Sequence, residues 1–154
     1  MSTPAIKELE KRGTRYVRHE YEHGEGGWGE EAAEKLGVSA DQVFKTLVVA
    51  CDGRLVVAVV PVSRQLSFKK LAASVGGKKA AMADAGDVMR STGYVLGGVS
   101  PLGQKRKLPT VIDDSANGFP TIFVSAGRRG LEVELAAGDL ANITGANLAD
   151  ISQP

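Results

Sequence analysis

The sequence predicts an α+β (mixed α/β) protein in which helices flank a mostly antiparallel mixed sheet. Helical and strand patterns mix without a regular βαβ rhythm, and two apolar, β-branched runs meet at an Asp-Gly turn. The 154 residues fit a single domain, 1–154, which is long enough to bury a core without disulfides or a metal. Hydrophobic residues make up 43% and charged residues 24%, and this composition excludes a wholly disordered chain.

The N-terminal part of the chain carries clear helix boundaries. Thr3 and Pro4 favour a helix start and Gly13 favours a helix end. Four glycines surround Trp28, which predicts a flexible loop with one large aromatic side chain in it. The predicted elements are a helix over 4–12, a half-exposed strand at 17–21, the loop at 23–29, a helix over 30–36 and a short helical turn at 39–43.

The strongest strand signal is a hairpin in the middle of the chain. The runs 46–50 and 55–62 are joined across Asp52-Gly53, a dipeptide typical of two-residue hairpin turns. Both runs are almost continuously apolar, so the hairpin is expected inside the sheet and covered on both faces. The remaining predicted elements are helices at 67–74, 84–93 and 139–143, and strands at 78–82, 94–96, 110–112, 121–124 and 131–135.

The charge balance limits the class of partner. Nineteen basic residues against 18 acidic ones give a net charge of +1, so no strong overall field draws the protein to polyanions. Affinity for a nucleic acid must come from a local patch, and basic groups at 69–70, 78–79, 105–107 and 128–129 either form one or are scattered solvated charges.

Two further observations predict a cytoplasmic protein that neither enters a membrane nor carries a disulfide. The only cysteine is Cys51, which suits a reducing compartment. The longest apolar run, 55–62, is too short to cross a bilayer, and residues 1–8 contain no apolar signal core.

A search for familiar catalytic groups gives a negative result. His19 and His23 have a spacing that binds metals on a helix, but here it falls on a strand and a loop without a nearby cysteine, so no metal is expected. Cys51 has no neighbouring base to activate it. The segment 98–102 lacks the last glycine of a nucleophile elbow, and the chain contains no P-loop or dinucleotide-binding glycine motif, so no cofactor is expected.

Two features remain as candidates for a binding site. The glycines in 97–103 let the backbone approach a ligand, and their N–H groups would hold a carbonyl or phosphate oxygen, although a plain turn has the same composition. Lys45 lies at the mouth of the first apolar strand, where its charge is either solvated or directed into a pocket.

Several segments, in one order over nearly the whole chain, carry a more specific signal. They are 41–47 (DQVFKTL), 82–84 (MAD), 90–94 (RSTGY), 97–105 (GGVSPLGQK), 108–110 (LPT), 129–131 (RGL) and 134–140 (ELAAGDL). In these segments the sequence resembles the YbaK-type Cys-tRNA(Pro) deacylases of the YbaK/EbsC superfamily, which are related to the editing domain of bacterial prolyl-tRNA synthetases. The resemblance implies a YbaK-like editing-domain fold.

The resemblance also implies an activity and a set of site residues. The family hydrolyses, in trans, the ester of cysteine misattached to proline tRNA, so aminoacyl-tRNA is the expected substrate and prolyl-tRNA synthetase a transient partner, with no role for DNA. Carried over by position, the catalytic residues are Lys45, Gly97, Gly98 and Ser100, and the substrate-binding residues are Tyr21, Trp28, Thr46, Pro101, Ser125 and Asp139. Trp28 replaces the phenylalanine expected there.

The resemblance implies a mechanism in which the substrate's own thiol attacks its carbonyl, which agrees with the absence of a nucleophile in the sequence motifs. Two alternatives stay open. The protein either cleaves a different aminoacyl-tRNA ester, such as that of alanine, or it is a tRNA- or synthetase-binding module with little activity.

Overall fold

The structure, a computed structural model, describes residues 2–24 and 28–154. The side chain of Trp28 lies outside the described part, as do residues 25–27 of the predicted glycine-rich loop. The helices are α1 (Pro4–Arg12), α2 (Trp28–Leu36), α3 (Phe68–Ser74), α4 (Ala85–Thr92) and α5 (Ala137–Thr144), with a 3₁₀ turn at Asp114–Gly118. The strands are β1 (Val17–Glu20), β2 (Phe44–Cys51), β3 (Arg54–Pro61), β4 (Gln65–Leu66), β5 (Ala80–Met82), β6 (Thr110–Asp113), β7 (Ile122–Arg128), β8 (Leu131–Leu135), β9 (Asn147–Ala149) and β10 (Ser152–Gln153).

The strands form one mixed five-stranded sheet and two smaller antiparallel sheets. The large sheet has the order β5-β2-β3-β6-β9, with antiparallel pairs at β5-β2 and β2-β3 and parallel pairs at β3-β6 and β6-β9. The smaller sheets are β1-β8-β7 and β10-β4. The predicted α+β class, with a mixed and mostly antiparallel sheet, is confirmed.

The central hairpin forms as predicted. Cys51 pairs with Arg54 across Asp52 and Gly53, whose φ angles of 50° and 82° are those that a tight hairpin turn requires. Strands β2 and β3 lie between other strands, and alternate residues enter different cores: Val48 packs in one apolar cluster and Val49 in another. The prediction that the hairpin is covered on both faces is therefore correct.

Helix boundaries follow the capping residues. The side chains of Thr3, Ser67 and Asp84 each accept a hydrogen bond from a backbone N–H three residues further along, which satisfies a donor that the helix itself leaves open. Gly13 ends α1 in the left-handed conformation. These are the boundaries that the sequence predicts for α1, α3 and α4.

Two predictions about secondary structure need correction, and some short strands were not predicted. The segment Tyr94–Leu96 is not a strand but part of a loop, in which the buried Tyr94 hydroxyl donates to the carbonyl of Leu102 (2.6 Å) while Val95 and Leu96 are exposed. Helix α5 begins at Ala137, two residues before the predicted start. The short strands β9 and β10 carry too few apolar residues to be recognised in sequence, and tertiary pairing alone creates them.

One edge of β2 determines where a cavity forms. Strand β5 pairs with β2 only at residues 49–51, so β5 leaves the first half of that edge uncovered. The second sheet approaches the start of β2, where the Phe123 N–H donates to the Gln42 carbonyl (3.0 Å). A gap between the two sheets results. Over the described residues, no helix is long and apolar enough to cross a membrane.

Candidate active site

A cavity of about 250 Å³ lies in this gap, between the uncovered edge of β2 and the second sheet. Its walls are mainly apolar, and they come from Ala32, Val43, Phe44, Leu47, Leu96 and Val99. Its polar groups come from Tyr21, Lys45, Thr46, Ser125, Arg129 and Glu132. A mainly apolar cleft with a few convergent polar groups is typical of a small-ligand site.

The structure brings about half of the predicted site residues to this cavity. Tyr21, Lys45, Thr46, Gly97 and Ser125 line it. Gly98 and Ser100 are buried behind the wall, Pro101 borders a separate surface pocket, and Asp139 is exposed in the first turn of α5. These placements leave the roles of all these residues as predictions.

Lys45 provides a cation inside the cavity. Its side chain is half-buried, and within the described ranges no carboxylate forms a salt bridge with it. Burial lowers the pKa of Lys45, while the charge of the Glu30 carboxylate acts in the opposite direction. A poorly solvated ammonium group of this kind interacts strongly with any negative charge that enters the cavity.

Thr46 carries a polar atom that lacks a partner. Its Oγ1 is buried and has no hydrogen bond to the described residues. A buried hydroxyl in this condition costs about 1–3 kcal/mol, so a ligand that bonds to it would recover that energy. The Val62 N–H donates to the Val43 carbonyl, so every second residue from Val43 along β2 bonds to β3. Thr46 lies between two of these residues, and its backbone N–H and C=O therefore point away from β3, toward the uncovered edge.

The glycine-rich loop at 97–103 packs tightly against the end of β7. A Cβ at Gly98 would lie 3.0 Å from the Arg128 Cα, a tighter contact than Cβ atoms usually make, so glycine favours this close approach. The Gly98 N–H donates to the Val95 carbonyl (3.0 Å), and the Ser100 hydroxyl accepts from the Leu102 N–H (3.2 Å). The N–H of Gly98 is therefore already engaged, whereas Gly97 itself faces the cavity.

Sequence reasoning missed Glu132 and Arg129. The alternation of Leu131, Val133 and Leu135 indicated one inward face of β8 and left Glu132 on the outer face. The outer face also meets the cavity, where Glu132 is only 7% exposed. Arg129 reaches the same space while its guanidinium contacts the Glu31 carboxylate (3.2 Å).

Burial gives Glu132 unusual acid–base behaviour. Loss of solvation raises the pKa of its carboxyl to about 8. The group is thus mainly neutral at pH 7. A cationic ligand group beside it would favour the ionised form and lower this pKa.

The raised pKa predicts how stability depends on pH. Between about pH 4.5 and 8 the unfolded chain has lost the Glu132 proton while the folded chain retains it, so the free energy of unfolding falls as pH rises. At pH 7 the free energy of unfolding is lower by about 3 kcal/mol than it is below pH 4.5 because of this group. We expect Glu132→Gln to remove that part of the slope in chemical denaturation measured at several pH values.

Glu134→Gln is the matched control for this experiment. Glu134 is on the same strand, but hydrogen bonds from Thr121 and His19 lower its pKa, so its carboxylate adds stability that is lost at acidic pH. The Glu134 variant should keep the decline between pH 4.5 and 8. An unchanged slope in the Glu132 variant would contradict the assignment.

Comparisons with known proteins identify the family of this chain. Residues 27–143 match the model of the aminoacyl-tRNA editing domain. EbsC of Enterococcus faecalis, a proposed Cys-tRNA(Pro)/Cys-tRNA(Cys) deacylase, is 38% identical over 152 residues, which cover 97% of this chain and 93% of EbsC. A proline–tRNA ligase of Maridesulfovibrio salexigens is 36% identical over 102 residues, which cover 66% of this chain and 16% of the ligase.

Solved structures show the same fold. A proposed trans-editing enzyme for prolyl-tRNA synthetase superimposes with a TM-score of 0.86 at 26% identity, covering 100% of this chain and 99% of its own. The protein APE2540 superimposes with a TM-score of 0.88 at 27% identity, covering 98% and 100%. Because the family model matches most of its length and EbsC is 38% identical over nearly all of it, the chain belongs to the aminoacyl-tRNA editing domain family.

Proposed function

We propose that this protein deacylates Cys-tRNA(Pro) in trans, using the thiol of the substrate as the nucleophile. One observation carries the proposal: the cavity offers a cation, a neutral carboxyl and a buried hydroxyl without a partner among the described residues, and none of the described residues that line it is a cysteine or a histidine. Such a site positions and polarises an ester that is already activated, and the substrate brings the attacking group.

We assign each polar group of the cavity to one part of the aminoacyl ester. The α-ammonium group binds beside Glu132, whose carboxyl then gives up its proton because the two charges attract. Lys45 binds the negative charge of the terminal nucleotide of the tRNA. The Thr46 hydroxyl donates to an oxygen of the substrate and gains the partner that it lacks.

The chemical step is an intramolecular acyl transfer. The cysteine sulfur attacks the carbonyl carbon, a carbon–sulfur bond forms, and the ester carbon–oxygen bond breaks. The proton of the thiol passes to the departing ribose oxygen, so the products are tRNA with a free hydroxyl and a cyclic thioester, which water then opens to cysteine. Release of the thioester is a lyase-like step within an overall hydrolysis.

The loop that follows Tyr94 supplies the donors for the developing oxyanion. Gly97 and Val99 both line the cavity, whereas the N–H of Gly98 is engaged, so the backbone N–H groups of Gly97 and Val99 are the donors we assign. Preorganised backbone donors of this kind typically contribute on the order of 10²–10³ in rate. Ser100 then acts through its fixed position in the loop.

A panel of charged tRNAs tests this function. Cys-tRNA(Pro) should turn over, while Ala-tRNA(Pro) and Ser-tRNA(Pro), which lack the thiol, should be cleaved at least about 10²-fold more slowly. Deacylation is followed by loss of labelled amino acid from the tRNA. Cys-tRNA(Cys) is included to show whether the tRNA body contributes to selectivity.

The other outcomes identify the alternatives. Equal cleavage of the three proline tRNAs would exclude the thiol mechanism and favour attack by water on a wider range of esters. Binding without cleavage of any ester would identify a tRNA-binding module and contradict the proposed activity. Because related regions occur within proline–tRNA ligases, we propose a transient complex with prolyl-tRNA synthetase, which the same assay tests by addition of that enzyme.

A further inference from the structure

A second groove, on the outer edge of the large sheet, is distinct from the cavity. It measures about 580 Å³ and is formed by the hairpin turn at Asp52, the start of α3 and the segment 78–81. Lys69, Lys78 and Lys79 line it, and the ring of Phe68 beside them is 38% exposed. No function assigned above uses this groove.

The groove concentrates positive charge on an otherwise nearly neutral protein. Three lysines and the Asp52 carboxylate give it a net charge of +2, whereas the whole chain carries only +1. In the part of the chain that the structure describes, none of these three lysines is in a salt bridge. The adjacent Lys70, in contrast, bonds to Asp150 (3.1 Å) and to the Ser152 carbonyl (2.9 Å).

The one acidic residue of the groove is occupied in holding it together. The two carboxylate oxygens of Asp52 accept the backbone N–H groups of Lys78 (2.8 Å) and Lys79 (3.0 Å), which lowers the pKa of Asp52. The preceding Gly77 has no room for a Cβ, which would lie 2.6 Å from the Cys51 Sγ. The backbone that carries the lysines is therefore fixed, and their ammonium groups remain available to a ligand.

The groove and the cavity lie on the same strand. Leu47 lines the cavity and Ala50 lines the groove, three residues further along β2, a separation of about 10 Å at 3.4 Å per residue. We infer that the Lys69, Lys78 and Lys79 groove binds the phosphate backbone of the acceptor arm of a tRNA whose 3′ end enters the cavity. This inference rests on the proposed function and names the surface that holds the rest of the substrate.

RNA is favoured over an acidic protein because of the composition of the groove. Three lysines without a salt bridge to any described carboxylate can contact several phosphates at once, and the exposed aromatic ring offers a face on which an unpaired base stacks. Local binding of this kind also agrees with a net charge too small to attract nucleic acids in general.

The test compares two triple variants. Lys69→Gln/Lys78→Gln/Lys79→Gln removes the charges of the groove, and Lys105→Gln/Arg106→Gln/Lys107→Gln removes three exposed charges elsewhere. Binding of uncharged tRNA is measured over a range of salt concentrations, and deacylation gives kcat and KM. The groove variant should bind tRNA about 10- to 100-fold more weakly, and the slope of log affinity against log salt concentration should be shallower by about 2–3. Its KM for deacylation should rise while its kcat stays unchanged.

Other results would overturn the inference. Equal losses in both triple variants would show a general charge effect, and a loss only in the 105–107 variant would place the RNA elsewhere. Binding of polyglutamate as tight as that of tRNA would indicate an acidic protein partner. If the wild-type protein cleaves Cys-tRNA(Pro) and the groove variant has the same KM as the wild type, the inference is wrong and the proposed function stands. If the wild-type protein does not cleave Cys-tRNA(Pro), the proposed function itself is wrong.

Discussion

Substitution of Lys45 by alanine should lower the rate of Cys-tRNA(Pro) deacylation by about 10²–10³-fold. Lys45 is the cation that we place against the negative charge of the bound tRNA end, where charge interactions are stronger than in water. By holding that end it positions the ester for attack, so its loss slows the chemical step of the bound substrate. The measurement is single-turnover deacylation with saturating enzyme, so that weaker binding does not obscure the chemical step.

Two further variants separate the role of the charge from that of packing. Lys45→Met keeps the aliphatic stem and removes only the charge, so it should lose as much activity as Lys45→Ala. Lys7→Ala removes an exposed lysine from α1 and should keep the wild-type rate. Full activity in a folded Lys45→Met protein, with folding checked by thermal denaturation, would show that the charge has no part in the reaction.

Substitution of Gly103 by alanine should lower the free energy of unfolding by about 3–5 kcal/mol. Gly103 has φ +63°, and a Cβ there would collide with the backbone carbonyl of Pro4 and lie 2.7 Å from the Ala5 nitrogen. The Gly103 N–H also donates to the Glu8 carboxylate (2.8 Å). Relief of the collision would separate α1 from the loop whose other end forms the wall of the cavity.

Gly13→Ala provides the matched comparison. Gly13 has nearly the same φ, +64°, but a Cβ there would meet nothing within 4 Å. That variant should lose only the conformational cost of the left-handed region, about 1–2 kcal/mol. Urea denaturation of both variants measures the difference, and equal losses would show that contact with α1 is unimportant.

The elements whose boundaries depend on neighbouring residues in the sequence were predictable. Thr3, Ser67 and Asp84 satisfy the open N–H groups at the start of helices, and this chemistry involves residues only three positions apart. The turn at Asp52 and Gly53 is equally local. Strands β9 and β10 were missed because only distant pairing partners make them strands.

The candidate site was predictable only in part for the same reason. Lys45 and Gly97 were found through the motifs around them, and the structure brings both to one cavity. Glu132 was missed because a charged residue that alternates with leucine and valine ordinarily faces solvent. Only the second sheet, packed beside β2, buries that carboxyl and raises its pKa to about 8.

The sequence by itself determined the class of fold, the helix caps, the central hairpin and the resemblance to editing enzymes, since each depends on residue types at short separations. The tertiary structure alone decided which polar groups meet and which basic residues share a groove. The physical reason is that solvation and charge depend on what packs across space. β5 leaves the first half of one edge of β2 uncovered, and this creates a cavity in which Lys45, Thr46 and Glu132 acquire properties that none of them has in water.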